Sequence, residues 1–322
     1  MMPAGFAPAV FFAALLACVP ALAAEPWPAR PVRMIVPFGP GSGSEQFARV
    51  IANEFQGSFK QSFVVDPRPG AAGFIAAEHV ARAQPDGYTL FVTSSSVHAV
   101  NPHQFRKLPY EPLKDFTPIG RICTVPHIVV VDAKLPIRTI TELIAAGSAG
   151  NRLTYAYGNS AGQIGGASFG ALARLNVTGV PYKSTPQALT DVAGGQVAFM
   201  MVDLASSQAL LAAGRVRAIA AATERPTALA PQLPTISSTA GIGNFDLTGW
   251  SVLLGPAGMP AELVRRLNEE LNRSLAKKEV ADKILSLGCE IAAGSPGDLE
   301  QYMKQQLESF GRKFRDAGIL PE

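Results

Sequence analysis

The chain has 322 residues, of which 48% are hydrophobic and 16% are charged, and its formal net charge is +3. This composition is that of a globular protein, and the length suits two domains of ordinary size. Lysine and arginine are scattered along the chain and do not gather on one predicted face. The sequence therefore gives no sign of a nucleic-acid-binding surface.

The first 24 residues differ from the rest of the chain. The apolar stretch GFAPAVFFAALLACVPALAA ends in the small residues of Ala21–Ala24, which is typical of a cleavable export signal. We therefore expect residues 1–24 to be removed and the mature protein to be periplasmic. The alternative is that LLAC is a lipobox, with Cys18 lipidated and kept as an anchor. No later stretch reaches the roughly 18 apolar residues of a membrane span.

Cys123 and Cys289 are the cysteines that remain after such cleavage. They are too few for a disulfide scaffold, and single cysteines in apolar settings are more often small core residues, although pairing in an oxidising compartment stays open. No His, Cys, Asp or Glu cluster has metal-ligand spacing. The sequence predicts neither a metal site nor a cofactor.

Strand and helix patterns alternate from the end of the leader onward. VRMIVPF is typical of a strand, and EQFARVIANEF is typical of an amphipathic helix, with apolar residues at i, i+3, i+4 and i+8. SFVVD, the helical FIAAEHVARAQ and the strand YTLFVTSSS follow, and the last of these is expected to open into a polar loop. This βαβ order predicts a parallel sheet with helices on both faces.

A second cycle of strands and helices runs from HIVVVD to VRAIAAAT. The segment LTGWSVLLGPAG comes next, and two amphipathic helices complete the chain. Two α/β units followed by helices near the C-terminus indicate two lobes.

The turn VPFGPGSGS connects the first strand to the first helix and raises the question of an anion site. A nucleotide-binding P-loop needs Gly-Lys-Ser/Thr, but Ser44 and Glu45 follow Gly43, and no dinucleotide-binding glycine pattern fits. Ser42 and Glu45 are spaced as a capping box. The free N–H groups of the first helical turn then point to where open α/β sheets bind ligands. The alternative is a capped helix above an empty turn.

Two later loops also follow strands. Thr93–Ser96 offers hydroxyl groups that can donate to an anion. The loop GNSAG matches the G-x-S-x-G pattern, which would make Ser160 a hydrolase nucleophile. All four histidines precede Ser160, whereas an α/β-hydrolase places its histidine last. An exported serine hydrolase is therefore the alternative function and not the preferred one.

The order of these loops resembles that of the TctC-like, or Bug, receptors of tripartite tricarboxylate transporters. The similarity spans nearly all of the mature chain and is carried by WPARPVRMIVPFGPG, DPRPGAAGFIAAEHVARAQPDGYTLFVTSSSVHAVNP, LPYEPLKDFTPIG, VPYKSTPQALTDVAGGQVAFMMVD and AGRVRAIAAAT. It implies an α/β Venus-flytrap protein of type II-like periplasmic binding protein architecture. Its parallel or mixed sheets are flanked by helices, and the chain crosses twice between the lobes.

The resemblance also implies lobe boundaries, a ligand and a set of contacts. Lobe 1 is expected to contain residues 25–124 and 249–322, and lobe 2 residues 125–248. The ligand is expected to be a small mono-, di- or tricarboxylate, delivered to the membrane subunits of a transporter or reported to a sensor protein. The implied ligand-binding residues are Phe38, Gly39, Pro40, Gly41, Ser42, Thr93, Ser94, Ser95, Ser96, Ser160, Ala161, Gly162, Lys183 and Asp203.

Some positions depart from the family pattern. Relatives usually have Asp at the position of Glu45, and Tyr-Lys-Gly where this chain has Tyr-Lys-Ser184. They also have a His-Leu pair near Ala167 and Ser168. Two of these three departures lie in lobe 2, so the resemblance specifies the contribution of lobe 2 and the identity of the ligand least.

Overall fold

The computed structural model describes residues 1, 27–148, 152–240, 242–316 and 319–321. Apart from Met1, the expected export signal with Cys18 lies outside the described residues. Within the described part of the chain, no helix is long and apolar enough to span a membrane. No three His, Cys, Asp or Glu side chains of these residues are grouped to hold a metal ion.

The strands form two mixed sheets, with orders β11-β4-β10-β3-β1-β2 and β7-β6-β8-β5-β9. The strands of the first sheet are β1 (Val32–Val36), β2 (Phe63–Pro67), β3 (Thr89–Ser94), β4 (Phe116–Val125), β10 (Gly249–Pro256) and β11 (Glu290–Ile291). The strands of the second sheet are β5 (His127–Asp132), β6 (Leu153–Tyr157), β7 (Val177–Pro181), β8 (Phe199–Asp203) and β9 (Val216–Ala221).

Helices cover both sheets, and each sheet with its helices is called a lobe below. Lobe 1 contains α1 (Gly43–Phe59), α2 (Phe74–Ala81), α3 (Asn101–Gln104), α9 (Ala261–Leu275), α10 (Lys278–Ser286) and α11 (Pro296–Asp316). Lobe 2 contains α4 (Ile140–Ser148), α5 (Ser160–Leu172), α6 (Thr185–Ala193), α7 (Leu204–Ala212) and α8 (Ile236–Ala240).

Apolar periodicity explains how these helices pack. In α1, Phe47, Ile51 and Phe55 are buried because their i, i+4 and i+8 spacing places them on one helix face. The central strands of the first sheet carry continuous apolar runs because helices cover both of their faces. Met34 and Ile35 of β1, for example, are fully buried on opposite sides of the sheet.

The chain passes between the lobes through short connections. Only Pro126 separates β4 of the first sheet from β5 of the second. The return path ends at Gly249, where β10 enters the first sheet antiparallel to both β3 and β4. Internal strands that run antiparallel to both neighbours are therefore found in each sheet: β10 and β4 in lobe 1, and β5 in lobe 2. Few residues connect the lobes, as in a hinged clamp.

Cys123 and Cys289 form a disulfide bond in lobe 1. The interpretation of these residues as separate small core residues is therefore wrong, although both are fully buried. Their 166-residue separation explains why the sequence alone left the question open, since strand order decides which distant cysteines meet.

The predicted alternation of strands and helices in two α/β units is confirmed. One local expectation is wrong: the TSSS segment is not an exposed polar loop. Thr93 and Ser94 complete β3, and a π-helical turn over Ser96–Val100 begins almost at once. Strand β10 pairs with the end of β3, and helices α5 and α11 pack against the π-helical turn, so Thr93, Ser95 and Ser96 are all buried.

Candidate ligand-binding site

Two adjoining cavities lie between the lobes. The inner cavity has a volume of about 40 Å³ and is lined by both lobes and by the start of β10. The outer cleft has a volume of about 660 Å³ and lies between the 69–73 and 181–184 segments. Phe38 and Asn159 line both spaces. The site thus consists of a small deep compartment and a larger one near the surface.

The turn between β1 and α1 reaches the site from lobe 1. Gly41 has a φ of 80°, a conformation that glycine adopts at little cost, and its N–H donates to Glu45 Oε2 over 3.1 Å. Ser42 precedes α1 but makes no side-chain cap bond, and its N–H donates to Gly39 O instead of to Glu45, so the predicted capping box is wrong in both halves. The buried Ser42 Oγ has no partner among the described residues and lines the inner cavity.

The end of β3 supplies a second group of hydroxyls. Ser94, Ser95 and Ser96 all line the inner cavity. Ser94 Oγ is buried and, within the described part of the chain, unpartnered. Ser96 Oγ accepts a hydrogen bond from the N–H of Ala161 at 3.3 Å, which joins the two lobes beside the cavity.

Lobe 2 contributes the turn between β6 and α5. Asn159 caps α5 by accepting the N–H of Gly162 at 2.8 Å. Gly158 packs so closely against the backbone of Thr185 that no Cβ would fit, which explains why this position is glycine. Ser160 is buried and lines the outer cleft. Its hydroxyl has no hydrogen-bond partner among the described residues, so no histidine of that set is placed to activate it.

Two of the inner-cavity residues that the sequence analysis did not assign to the site have buried ring nitrogens. Trp250 at the start of β10 is 1% exposed, and His127 at the start of β5 is 5% exposed. Within the described chain, Trp250 Nε1 and His127 Nδ1 both lack hydrogen-bond partners. Burial lowers the pKa of His127 from its ordinary value, and the nearby Asp203 carboxylate opposes this effect. The imidazole is therefore neutral at pH 7.

The charged candidates occupy different positions. Asp203 is buried and lines the inner cavity, but both of its carboxylate oxygens accept hydrogen bonds from Ser206. Lys183 is exposed at the rim of the outer cleft. Among the described residues lining the inner cavity, Asp203 is the only acidic or basic one apart from the neutral His127. An anion in this compartment would therefore meet neutral donors and, among the charged groups of the described lining, the Asp203 carboxylate, whose two oxygens already accept hydrogen bonds from Ser206.

Ten of the fourteen sequence-predicted residues line one or both cavities. The other four are Gly41, Thr93, Ala161 and Gly162. The N–H groups of Gly41, Ala161 and Gly162 donate to Glu45, Ser96 and Asn159, respectively. Their assignment as ligand contacts stays a prediction. Asn159 could have been found from sequence, because asparagine before a helix is a common cap.

Comparison with known proteins places this architecture in a family. Residues 47–319 match the family model described as "Tripartite tricarboxylate transporter family receptor". The chain is similar to the R. palustris protein Rpa4515 with adipate, at 33% identity and a TM-score of 0.88, covering 92% of this chain and 100% of the other. It is also similar to the periplasmic binding protein BugD, at 28% identity and a TM-score of 0.86, with coverage of 92% and 100%.

A third similar structure is MatC from Rhodopseudomonas palustris with bound malate. Its identity is 28% and its TM-score 0.84, covering 89% of this chain and 99% of that one. These matches confirm the predicted Venus-flytrap architecture and the resemblance on which it was based. They also favour a binding protein over the serine hydrolase alternative. The chain belongs to the TctC/Bug receptor family of tripartite tricarboxylate transporters, a family of periplasmic solute-binding proteins and not of enzymes.

Proposed function

We propose that this protein captures an organic carboxylate between its lobes and delivers it to the membrane subunits of a tripartite transporter. The observation that carries the proposal is the meeting of three buried donors at the inner cavity. Ser42 Oγ, Ser94 Oγ and Trp250 Nε1 all line it and lack partners within the described chain. Buried polar groups are nearly always hydrogen-bonded in a working state. A carboxylate supplies acceptors for all three.

Neutral donors are sufficient for such a receptor. Hydrogen bonds to a charged group contribute about 1.5–3 kcal/mol each, so the three donors supply roughly 4.5–9 kcal/mol. Association costs at least about 4 kcal/mol, and each buried CH₂ group of the ligand adds about 0.8 kcal/mol. Micromolar affinity, at about −8 kcal/mol, is therefore within reach of a ligand with an apolar chain. A site without an arginine clamp also releases its ligand readily, as transport requires.

The two compartments support a ligand with one carboxylate in the inner cavity and its body in the outer cleft. The small volume of the inner cavity suits a single carboxylate group. Phe38, Pro40, Tyr157 and Tyr182 give the outer cleft a largely apolar wall, and Lys183 lies at its rim. An extended dicarboxylate fits this division, with apolar carbons along the wall and its second carboxylate near Lys183. Adipate, bound by one relative, has this form.

We further propose that closure brings residues 125–248 against residues 25–124 and 249–322, with Pro126 and the 249–251 segment as hinges. The short connection at Pro126 supports this division.

Export would remove residues 1–24, and intact-mass measurement of the periplasmic protein tests this. A diacylglyceryl adduct on Cys18 would favour the anchored alternative. A receptor that reports its ligand to a sensor protein, without transport, would need the same carboxylate-binding site.

Isothermal titration with adipate, hexanoate, malate and citrate tests the ligand proposal. We expect adipate to bind with micromolar affinity and hexanoate, which lacks the second carboxylate, to bind more weakly. Ser94→Ala should weaken adipate binding about tenfold to hundredfold, because a donor to a buried charged oxygen is lost. Ser286→Ala, at the exposed end of α10, is the matched control. No binding by any carboxylate would overturn the proposal.

A further inference from the structure

A hydrogen-bonded relay joins the start of α1 in lobe 1 to the start of α7 in lobe 2. The N–H of Gly43 donates to Ser206 Oγ over 3.1 Å. Ser206 donates its hydroxyl to Asp203 Oδ2 at 2.9 Å, and its backbone N–H to Asp203 Oδ1 at 2.8 Å. Asp203 thus caps α7 and holds the side chain that bridges the cleft.

We propose that Ser206 is a closure residue: oriented by Asp203, it stabilises the closed clamp whether or not ligand is bound. The inference rests on the proposed function in one respect, which is that closure of the lobes retains the ligand. It gives Asp203 a positioning role through Ser206, in place of the ligand contact that the family resemblance implied.

The chemistry of the two helix ends explains why the relay favours closure. Gly43 is the first residue of α1, so its N–H has no acceptor within the helix. The N-terminus of α1 carries partial positive charge, which favours a nearby carboxylate. Because the Ser206 hydroxyl donates to the Asp203 carboxylate, its oxygen is polarised into a better acceptor. Opening the clamp breaks this bond to Gly43 but leaves the α7 cap intact.

The packing around Gly43 shows that the contact is close. A Cβ on Gly43 would lie 2.9 Å from Asp203 Oδ1 and 3.4 Å from Phe47 Cε2. Gln46 Nε2 makes a second, longer contact across the same junction, 3.5 Å from the carbonyl oxygen of Ala205. Gly43→Ala should therefore oppose closure while it improves the helix propensity of α1.

Crosslinking across the cleft measures closure without any ligand. An ideal Cβ on Gly39 of lobe 1 lies 3.8 Å from Ser184 Cβ of lobe 2, a separation that suits a disulfide. The full chain carrying Gly39→Cys and Ser184→Cys is treated with oxidised glutathione, and the rate of interlobe disulfide formation reports the closed population. We expect Ser206→Ala to lower the closed-to-open ratio about fivefold to tenfold, and Gly43→Ala to slow crosslinking at least as much.

Matched variants separate closure from general stability. Ser207→Ala removes a neighbouring hydroxyl that, among the described residues, donates to Leu204 O within α7, and it should leave the crosslinking rate unchanged. Ser206→Thr keeps a hydroxyl and should restore most of the rate. The melting temperature of Ser206→Ala should match that of Ser207→Ala. If Ser206→Ala and Gly43→Ala both crosslink at the parent rate, the closure role is wrong, whatever the carboxylate titrations give.

Discussion

Cys123 and Cys289 form a disulfide bond beside the crossover between the lobes, with their Cα atoms 5.8 Å apart. Cys123 lies in β4 opposite Ser251 of β10, and β4 ends at Val125, just before the chain leaves lobe 1. Cys289 immediately precedes β11, which pairs with the same part of β4. The bond therefore fastens the C-terminal helices to the strand that leads into the crossover at Pro126.

The disulfide should contribute strongly to stability, because it closes a loop of 166 residues in the unfolded chain. A loop of this size corresponds to about 5 kcal/mol in the chain-entropy model. We expect the Cys123→Ala/Cys289→Ala double variant to unfold at clearly lower urea concentration than the parent. Peptide mapping without reduction should recover the crosslinked pair. Recovery of both peptides with free thiols would contradict the assignment.

Acid should destabilise the protein in a range set by His98. This ring packs against Phe91 and Phe116, and burial lowers its pKa from 6.5 to about 3. Between pH 6.5 and 3 the His98 imidazole is protonated in the unfolded chain and neutral in the folded protein. The contribution of His98 to the free energy of unfolding is therefore complete above pH 6.5 and is lost as the pH drops toward 3. The loss from this residue is at most about 1.4 kcal/mol per pH unit.

Urea unfolding as a function of pH tests this. His98→Phe preserves the aromatic packing and removes the titration, so its stability should depend less steeply on pH between 6.5 and 4. His79→Gln, at a half-buried position on α2, should change the slope much less. An unchanged slope in His98→Phe would show that other groups govern the acid sensitivity.

Ser160 should act as a hydrogen-bond donor and not as a nucleophile. Its hydroxyl is buried and, in the described chain, without a histidine or other hydrogen-bond partner. The purified protein should not hydrolyse nitrophenyl esters, and Ser160→Ala should weaken adipate binding about tenfold to hundredfold. Covalent labelling of Ser160 by a fluorophosphonate would contradict this reading.

Trp250 should report ligand binding through its fluorescence. The indole lines the inner cavity at the start of β10 and is 1% exposed, whereas Trp27 packs against Phe59 and Tyr88 on lobe 1. Adipate should shift or quench the emission with micromolar saturation. Trp250→Phe should remove most of this response, and Trp27→Phe should preserve it. The opposite pattern would place the ligand elsewhere.

Local sequence patterns predicted much of the fold because they act over short distances. The spacing of Phe47, Ile51 and Phe55 indicated α1, and the alternation of strands and helices indicated two α/β units. The insertion of β10 between β3 and β4 could not be predicted in this way, because strand order depends on pairing between distant segments. The Cys123–Cys289 bond depends on the same pairing.

Site residues could be predicted from the sequence where they follow a strand in a recognisable local motif. Residues that reach the site only because distant segments meet there could not. Ser42, Ser94 and Ser160 lie in or beside strand-to-helix connections with recognisable sequences, and all three line a cavity. His127 and Trp250 open strands that look like ordinary core, and only the two crossovers bring them to the inner cavity. The sequence also gave no indication that Ser206 bonds across the cleft.

Titration with adipate and with its dimethyl ester tests the central claim most directly. The ester keeps the carbon chain and the carbonyl acceptors but has no negative charge, and hydrogen bonds to an ionised acceptor are about twice as strong as neutral ones. We predict micromolar binding of adipate and at least about tenfold weaker binding of the ester at the same pH and salt concentration. Equal affinity for the two would show that Ser42, Ser94 and Trp250 do not bind a carboxylate, and would contradict the account of this protein as a carboxylate receptor.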